Sequence, residues 1–238
     1  MSTYVYGITR RSHPGPAAEL VGVGDPPLPV RAVTEGELLA IVSDAPEHLR
    51  PKRRDLLAHQ RVLAEASAAG AVLPMRFGGV SPDDHAVKAV LAERAGHFQE
   101  RLTALDGKVE FNVKAVHEEE LVLHRILGEN PELRAMSEAN RLAGGGSHEE
   151  KLRLGERIVA AVQRRETIDA EHLRQELGRS AEAISEGPQS SGWLVNVSCL
   201  VAHDDADAFV AAVNSLAEAS PQLSVQLNGP LPPYSFVE

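Results

Sequence analysis

The stretch Ala71–Val80, AVLPMRFGGV, joins two halves of different character. It follows a segment with helical spacing, carries one charge and ends in a pair of glycines. Leu73, Met75 and Phe77 alternate along it, which predicts a strand with these three side chains on one face. Because Pro74 has no backbone N–H to donate, we expect this strand at the edge of its sheet or at the start of pairing.

Arg76 is the single charge of this stretch and lies between Met75 and Phe77. A guanidinium group in that place must either reach water or find an acceptor. Two interpretations are open. Arg76 is either a structural residue, which the pattern favours, or a residue that contacts a binding partner.

Length and composition narrow the class of protein. The 238 residues favour two small domains over one large one, and 43% hydrophobic with 24% charged residues is typical of a soluble globular chain. The formal charge of −10 argues against binding to nucleic acid or an anionic membrane. Met1–Arg11 lacks a signal-like apolar run, no membrane span is evident, and the lone Cys199 fits a reducing compartment, so we expect a cytoplasmic protein.

The first half predicts a small α+β domain. Strands are expected at Tyr4–Ile8 and Leu38–Ser43, separated by a proline-rich loop over Arg10–Pro29. A helix from Pro51 to Gly70 follows, with Leu56 and Leu63 on its apolar stripe. Another helix is predicted to begin with Ser81 as its cap and Pro82 at its first position, and to end at Gly107. Its apolar stripe consists of Val87, Val90, Leu91, Phe98 and Leu102.

The second half alternates strands with helices. Strands are predicted at Lys108–Ala115, Trp193–Val201 and Leu223–Leu227. The helical region His117–Ile184 contains the flexible joint Gly144–Gly146. After this joint Ser147 and Glu150 form a capping pair, and the stripe continues through Leu152, Ile158, Val159, Val162, Leu173, Leu177 and Ile184. Asp204 or Asp205 caps a further helix, and the loop Gly187–Gly192 separates the two helical regions.

These patterns predict an α+β chain of two domains. Residues 1–106 form the N-terminal α+β domain, and residues 107–238 form an open sheet of the ferredoxin-like kind with helices on its apolar side. The second domain carries a helical insertion over 117–186 and an extended tail over 229–238. The tail is stiffened by prolines and carries Tyr234 and Phe236, so we expect it to pack on its own domain.

The chain offers no constellation for catalysis or metal binding. His117 and His124 stand near Glu118–Glu120, but no HExxH motif is present. The acids after His203 lack the spacing of a calcium loop, and helix capping explains them. Nucleophile elbows and phosphate loops are also missing. The sequence therefore predicts no catalytic residue, no metal and no cofactor.

Five strings, in order from one end of the chain to the other, closely resemble the gas vesicle GvpL/GvpF family. They are YVYGI from Tyr4, LPMRFGG from Leu73, GKVEFNVK from Gly107, and GWLVNVSCLV together with the terminal GPLPPYSFV. Members of the family often read LPMRFGT and TGPWPPYSF, whereas this chain has Gly79, Asn228 and Leu231. These differences affect local turns and packing.

The resemblance implies two α+β domains, the second a modified ferredoxin fold with added helices. It implies a non-enzymatic accessory or minor structural protein of gas vesicles, the gas-filled shells that give cells buoyancy. Such a protein assists nucleation and assembly through contacts with the major shell protein and other accessory proteins, in the cytoplasm and at the gas vesicle. The candidate structural or interaction residues are Met75, Arg76, Phe77, Trp193, Tyr234 and Phe236.

Two other classes of function stay open at this point. A small-molecule regulatory module is one, because ferredoxin-like sheets often bind ligands at their edges or between subunits. An enzyme is the other, and it requires a buried polar pocket around Arg76 with perturbed acids. If Arg76 is structural, Arg76→Ala is expected to lower stability and impair assembly together.

Overall fold

The computed structural model describes residues 1–188 and 192–238. The chain is a mixed α+β protein with two antiparallel sheets, and it divides into two compact units. Unit 1 is Met1–Glu110 with Gly229–Glu238, and unit 2 is Phe111–Asn228. In the part of the chain that the structure describes, no helix is both long enough and apolar enough to cross a bilayer. The predicted loop Gly187–Gly192 includes residues 189–191, which lie outside the described residues.

Unit 1 is built on a five-stranded sheet. Its strands are β1 (Thr3–Arg10), β2 (Arg31–Glu35), β3 (Leu38–Asp44), β4 (Val72–Pro74) and β5 (Val80–Ser81). The order is β2-β3-β1-β4, and β5 also pairs with β1. The strands predicted at Tyr4–Ile8 and Leu38–Ser43 are confirmed, and so is the edge position that Pro74 predicted.

Helices cover both faces of this sheet. They are α1 (Arg53–Ala69), α2 (Asp84–Glu93) and α3 (Ala95–Ala104). Tyr4 and Tyr6 of β1 pack against Val62 and Leu63 of α1. The opposite face meets α2 and α3. The sheet is therefore buried on both sides, which explains why β1 and β3 read as nearly continuous apolar runs.

Several details of unit 1 differ from the prediction. Strand β2 was not predicted, because a five-residue edge strand depends on its partner β3 for hydrogen bonds more than on its own residues. Helix α1 begins at Arg53 and not at Pro51. Leu56 is 37% exposed, since the buried stripe of α1 follows a different set of positions. That stripe is Asp55, His59, Val62, Leu63 and Ala66.

The region from Met75 to Gly107 also differs from the prediction. The strand predicted through Phe77 ends at Pro74, and Met75–Gly79 forms a turn instead. Ser81 belongs to β5, while Asp83 is the helix cap and accepts from the backbone N–H of Ala86 at 2.8 Å. The single helix predicted up to Gly107 is divided at Arg94 into α2 and α3, and Val90 is half-exposed.

Unit 2 holds most of a four-stranded sheet. Its strands are β6 (Lys108–His117), β7 (Ala183–Glu186), β8 (Val195–Ala202) and β9 (Leu223–Leu231), in the order β7-β8-β6-β9. Its helices are α4 (Glu119–Glu129), α5 (Pro131–Leu142), α6 (His148–Ser180) and α7 (Ala206–Ala219). Phe111 of β6 packs on Phe209 of α7 with ring centroids 5.1 Å apart. The three predicted strands are confirmed, and Cys199 is buried as expected.

The helical insertion pairs within the chain. Leu133 of α5 packs with Val122 and Ile126 of α4 in a small core. Ile158 and Val162 of α6 cover this core. The predicted capping pair is present, since Ser147 and Glu150 bond each other reciprocally. Two expectations were wrong. Leu152 and Val159 are more than half exposed, and residues 183–186, predicted as part of the insertion, form the edge strand β7.

The tail is a further correction. Residues 229–238 were expected to pack on the C-terminal domain, but Gly229–Glu238 belong to unit 1. Tyr234 packs against the buried cluster of Tyr4 and Tyr6, which supplies the apolar surface that this aromatic side chain needs. The sequence showed that the tail needs a partner surface, but it did not show which one.

Candidate functional site

The turn Met75–Gly79, which follows the edge strand, is held by a buried network under α1. His59 of α1 lies with Nε2 3.0 Å from the Met75 carbonyl oxygen and Nδ1 2.8 Å from the Tyr4 hydroxyl. The Gly78 N–H donates to the same hydroxyl at 3.2 Å. Phe77 packs edge-on against His59, with ring centroids 5.8 Å apart.

This geometry fixes the protonation of the network. Because the Met75 carbonyl can only accept, His59 carries its proton on Nε2, and its bare Nδ1 accepts from the Tyr4 hydroxyl. Burial lowers the pKa of His59, although the bond to Met75 opposes the shift. Burial also raises the pKa of the Tyr4 hydroxyl well above its ordinary value. The network is therefore neutral at physiological pH, and it connects YVYGI to LPMRFGG.

A second network anchors the proline-rich loop. The Tyr6 hydroxyl lies 3.0 Å from Ser43 Oγ and accepts from the Val23 N–H at 2.9 Å. A Cβ atom at Gly22 would stand 1.8 Å from this hydroxyl, so only glycine fits at that position. This contact gives a packing role to a glycine that belongs to no nucleotide motif.

The tail is held by hydrogen bonds as well as by packing. Glu110 is buried, and its carboxylate accepts from both the N–H and the hydroxyl of Ser235, each at 2.8 Å. Arg101 of α3 donates to the Phe236 carbonyl at 2.7 Å. Burial raises the pKa of Tyr234 to about 12, and the charge of Glu110 acts in the same direction. The tail therefore covers the side chain of Glu110.

An apolar groove of about 700 Å³ lies on the face of the unit 1 sheet opposite α1. Val5, Ile8 and Ala40 of the sheet line it, and α2 and α3 contribute Val87, Val90, Leu91 and Phe98. The turn adds Met75, Arg76 and Gly79, and the tail adds Val237 and Glu238. We call this surface the β1–α2 groove.

The structure brings five of the six candidate residues into unit 1. Met75 and Arg76 line the β1–α2 groove, and Arg76 is exposed. Phe77 and Tyr234 pack on the cluster under α1, and Phe236 is held through its carbonyl. The sixth, Trp193, lies in unit 2. There Lys114 Nζ stands 5.2 Å from the centre of its ring, the geometry of a cation–π contact.

Unit 2 has a buried polar cluster of its own around Asp169 of α6. The carboxylate accepts from Arg165 Nε at 3.0 Å, from His117 Nε2 at 3.0 Å and from Gln222 Nε2 at 3.3 Å. Burial alone would raise the pKa of Asp169. The hydrogen bonds outweigh it and lower the pKa to about 2, so the side chain stays ionised.

The polar clusters serve structure and form no metal site. Across residues 1–188 and 192–238, no group of three or more His, Cys, Asp and Glu side chains could hold a metal ion. His117, which was weighed as a ligand with His124, instead donates to Asp169. Arg76 is exposed, and Glu238 is the acidic residue that lines the β1–α2 groove with it.

Sequence reasoning missed three residues that organise the site: His59, Arg101 and Glu110. A signal for His59 was present, because it stands at the helical spacing i, i+3, i+4 and i+7 with Val62, Leu63 and Ala66. A titratable residue at a core position of a helix points to a buried partner. Glu110 and Arg101 gave no comparable signal, because their partners lie more than 120 residues away in the tail.

Comparison with known proteins gives consistent matches over the whole chain. The family model described as "Gas vesicle synthesis protein GvpL/GvpF" matches residues 2–238. Gas vesicle protein F of Streptomyces sp. (strain CB03234) is 63% identical over 238 residues, which is 100% of both chains. Gas vesicle protein F of Microcystis aeruginosa (strain PCC 7806) is 25% identical over 99% of this chain and 97% of its own.

Two solved structures share the fold. The crystal structure of GvpF from Anabaena sp. PCC7120 superposes with a TM-score of 0.77 at 24% identity, over 100% of this chain and 98% of that one. The crystal structure of GvpF from Microcystis aeruginosa gives a TM-score of 0.72, also at 24% identity, over 100% and 99%. At this level of identity, the superposition establishes the fold alone.

Proposed function

The chain belongs to the GvpL/GvpF family of gas vesicle synthesis proteins, and from this premise we propose that it is a non-enzymatic accessory or minor structural protein of gas vesicles. It assists nucleation and assembly of the vesicle shell. It acts through protein–protein contacts with the major shell protein and with other accessory proteins, in the cytoplasm and at the gas vesicle. It needs no cofactor for this role.

One observation carries the proposal. Three of the strings that resemble the family meet at the β1–α2 groove, although they are far apart in the sequence. Val5 and Ile8 come from YVYGI, Met75 and Arg76 from LPMRFGG, and Val237 from the terminal string. Their side chains form an apolar surface and no catalytic arrangement. An apolar concavity of this kind supports a role in binding.

We also propose the ferredoxin-like description for the second sheet. From β6 onward the chain runs strand, helices, strand, strand, helix, strand, and the sheet order is β7-β8-β6-β9. This is the β-α-β-β-α-β pattern, with α4, α5 and α6 together in the place of the first helix. The helical insertion is therefore an enlargement of one crossover connection.

Deletion of the gene tests the proposed function. We expect vesicle formation to be lost or strongly reduced, as measured by electron microscopy and by the buoyancy of the cells. A tagged copy is expected to restore vesicles and to co-purify with the major shell protein. A tagged copy that carries Val159→Ser is the control for the tagged wild-type copy, since this side chain of α6 is 55% exposed and lies in unit 2. Normal vesicles in the deletion strain would contradict the proposal.

A small-molecule regulatory module is the second candidate function. The observation in its favour is the volume of the β1–α2 groove, about 700 Å³, which is within the range of ligand sites. A thermal-shift screen separates the two functions, because a metabolite at a hundred times its Kd stabilises the folded state by about 2.7 kcal/mol. Specific stabilisation by a metabolite, together with normal vesicles in the deletion strain, would favour this second function.

A further inference from the structure

The floor of the β1–α2 groove is apolar: Val5 is half-buried, and Ile8 and Ala40 are buried. Val5, Ile8 and Ala40 lie on paired strands, so their backbone groups are already used within the sheet. A partner that adds a strand needs unpaired backbone groups at a sheet edge. The groove therefore recognises side chains. An amphipathic helix, which presents a row of apolar side chains along one face, fits this kind of surface.

The rim of the groove leaves apolar side chains in water. Val80 is 50% exposed and Val90 is 46% exposed, and both line the groove. Covering such surface is favourable because it removes apolar area from water. Met75 is half-buried beside them and has the flexible side chain that adapts to an incoming partner. These three side chains supply the apolar part of a contact.

Two arginines lie at the rim of the groove without an ion pair to any described residue. Arg76 and Arg94 line the groove, and within the described ranges neither forms an ion pair. Arg94 lies over the ring of Phe98 at 5.3 Å from its centre. By contrast, Arg31 of the same unit is paired with Asp44 and Asp84. His97 adds a third basic group, and Glu238 is the one acid that lines the groove.

Arg76 and Arg94 are two positive charges beside apolar surface, in a chain whose formal charge is −10. Guanidinium groups beside apolar surface favour carboxylates on the partner, because an Arg–carboxylate pair forms two parallel hydrogen bonds. Complementary charge also steers the partner toward the groove and rejects basic competitors. The partner's apolar face should therefore be flanked by Asp or Glu.

We infer that the β1–α2 groove binds an amphipathic helix of a partner protein, with apolar side chains along its buried face and carboxylates beside them that pair with Arg76 and Arg94. The inference rests on the proposed function, because it assigns the assembly contacts to one surface and states the chemistry of the segment bound there. The inference does not cover contacts that other surfaces of the chain make.

Two designed peptides test this inference on the full chain. Both are helices of about 20 residues with leucines at i, i+3, i+4 and i+7. One carries Glu on the flanks of the leucine stripe, and the other carries Lys. We expect the Glu peptide to bind at least about tenfold more tightly, as measured by fluorescence anisotropy, and the difference to shrink at high salt. Equal affinities for the two peptides would overturn the inference.

Variants locate the binding. Val90→Glu is expected to weaken binding of the Glu peptide at least about tenfold, whereas Val159→Glu on the exposed face of α6 is expected to leave it unchanged. Arg76→Glu with Arg94→Glu is expected to reverse the preference toward the Lys peptide. All three variants carry their changes on exposed or rim side chains, and thermal unfolding verifies that they fold. Undiminished binding by Val90→Glu would place the peptide elsewhere and overturn the inference.

Failure of the inference can be told apart from failure of the proposed function. In one outcome, the wild-type chain binds the Glu peptide more tightly than the Lys peptide and yet does not co-purify with the shell protein. That result would contradict the proposed partner, but it would not contradict the inferred chemistry of the groove. Chain that co-purifies but does not discriminate would overturn the groove inference alone. A concentration-dependent dimer that Val90→Glu abolishes would assign the groove to a second copy, which also overturns the inference.

Discussion

The two units are each organised around a buried polar cluster, but one cluster is neutral and the other is charged. In unit 1, the His59 network joins a helix to a turn through a hydroxyl, an imidazole and backbone groups. In unit 2, Asp169 gathers Arg165, His117 and Gln222 around an ionised carboxylate. A neutral network costs less to bury, whereas a charged one depends strongly on every partner being present. The two units should therefore respond differently to mutation and to pH.

The aromatic residues allow each unit to be followed separately. The single tryptophan, Trp193, lies in unit 2, and the three tyrosines, Tyr4, Tyr6 and Tyr234, lie in unit 1. Tryptophan fluorescence therefore reports on unit 2, and tyrosine absorbance reports on unit 1. Coincident transitions would show that the two units unfold together, and separate transitions would show that they unfold independently.

The largest effect is expected for Asp169→Ala. The change leaves the guanidinium of Arg165 without its buried carboxylate partner and removes the acceptor from His117 and Gln222. Breaking a buried pair in this way typically lowers the free energy of unfolding by about 3–5 kcal/mol. Urea unfolding followed by Trp193 fluorescence measures the loss.

A surface pair provides the control for this variant. Glu149 and Arg153 form an exposed pair on α6, with 82% and 64% of their side chains exposed. Glu149→Ala is expected to change the free energy of unfolding by less than about 0.5 kcal/mol. Asp169→Ala could lower the free energy of unfolding by no more than this control does. In that case the charged cluster would not stabilise unit 2, and the proposed difference between the units would be wrong.

The next effect is expected for Tyr4→Phe. The lost hydroxyl leaves the Gly78 N–H and His59 Nδ1 without a partner in a buried place. Each unsatisfied group is unfavourable, and we expect a loss of about 1–3 kcal/mol in the unfolding of unit 1. Absorbance of the two remaining tyrosines measures it. Tyr234→Phe is the matched control, because in the described part of the chain the Tyr234 hydroxyl makes no hydrogen bond.

The two clusters also differ in how far the sequence foretold them. Long alternating or apolar strands such as β1, β3 and β6 were predicted, because their own residues determine which face is buried. The short edge strands β2 and β7 were not, since their hydrogen bonds come from neighbouring strands. His59 stood at a core position and gave a readable signal. Two of the three partners of Asp169, His117 and Gln222, lie 52 and 53 residues away in the chain, and only the fold brings them together.

A smaller effect is expected in how the stability of each unit depends on pH. Burial lowers the pKa of His59, so below about pH 6.5 the unfolded chain takes up a proton that the folded chain does not. Unit 1 should therefore lose stability as the pH falls below about 6.5. The contribution of Asp169 is also lost on acidification, but in a lower pH window. With a folded pKa of about 2, it remains until about pH 4 and is lost below that.

Urea midpoints at several pH values measure this difference through the tyrosine and tryptophan signals. In His59→Gln, the urea midpoint followed by tyrosine absorbance should no longer fall as the pH is lowered over this range. The side-chain amide of glutamine can still donate to Met75, but it does not titrate. If the wild type and His59→Gln lost stability in parallel over this range, His59 would not be the source of the pH dependence in unit 1.

The smallest effect on stability is expected for Arg76→Ala, and it separates the networks that hold unit 1 together from the surface that binds a partner. The sequence favoured a structural arginine whose loss lowers stability and assembly together. In the structure Arg76 is exposed, and among the described residues its side chain has no hydrogen bond or ion pair, so we now expect unfolding to change by less than about 0.5 kcal/mol. Binding of the Glu-flanked peptide should nevertheless weaken. A loss of stability above about 1 kcal/mol, with unchanged binding, would return Arg76 to the structural role and would leave Arg94 as the groove's unpaired arginine.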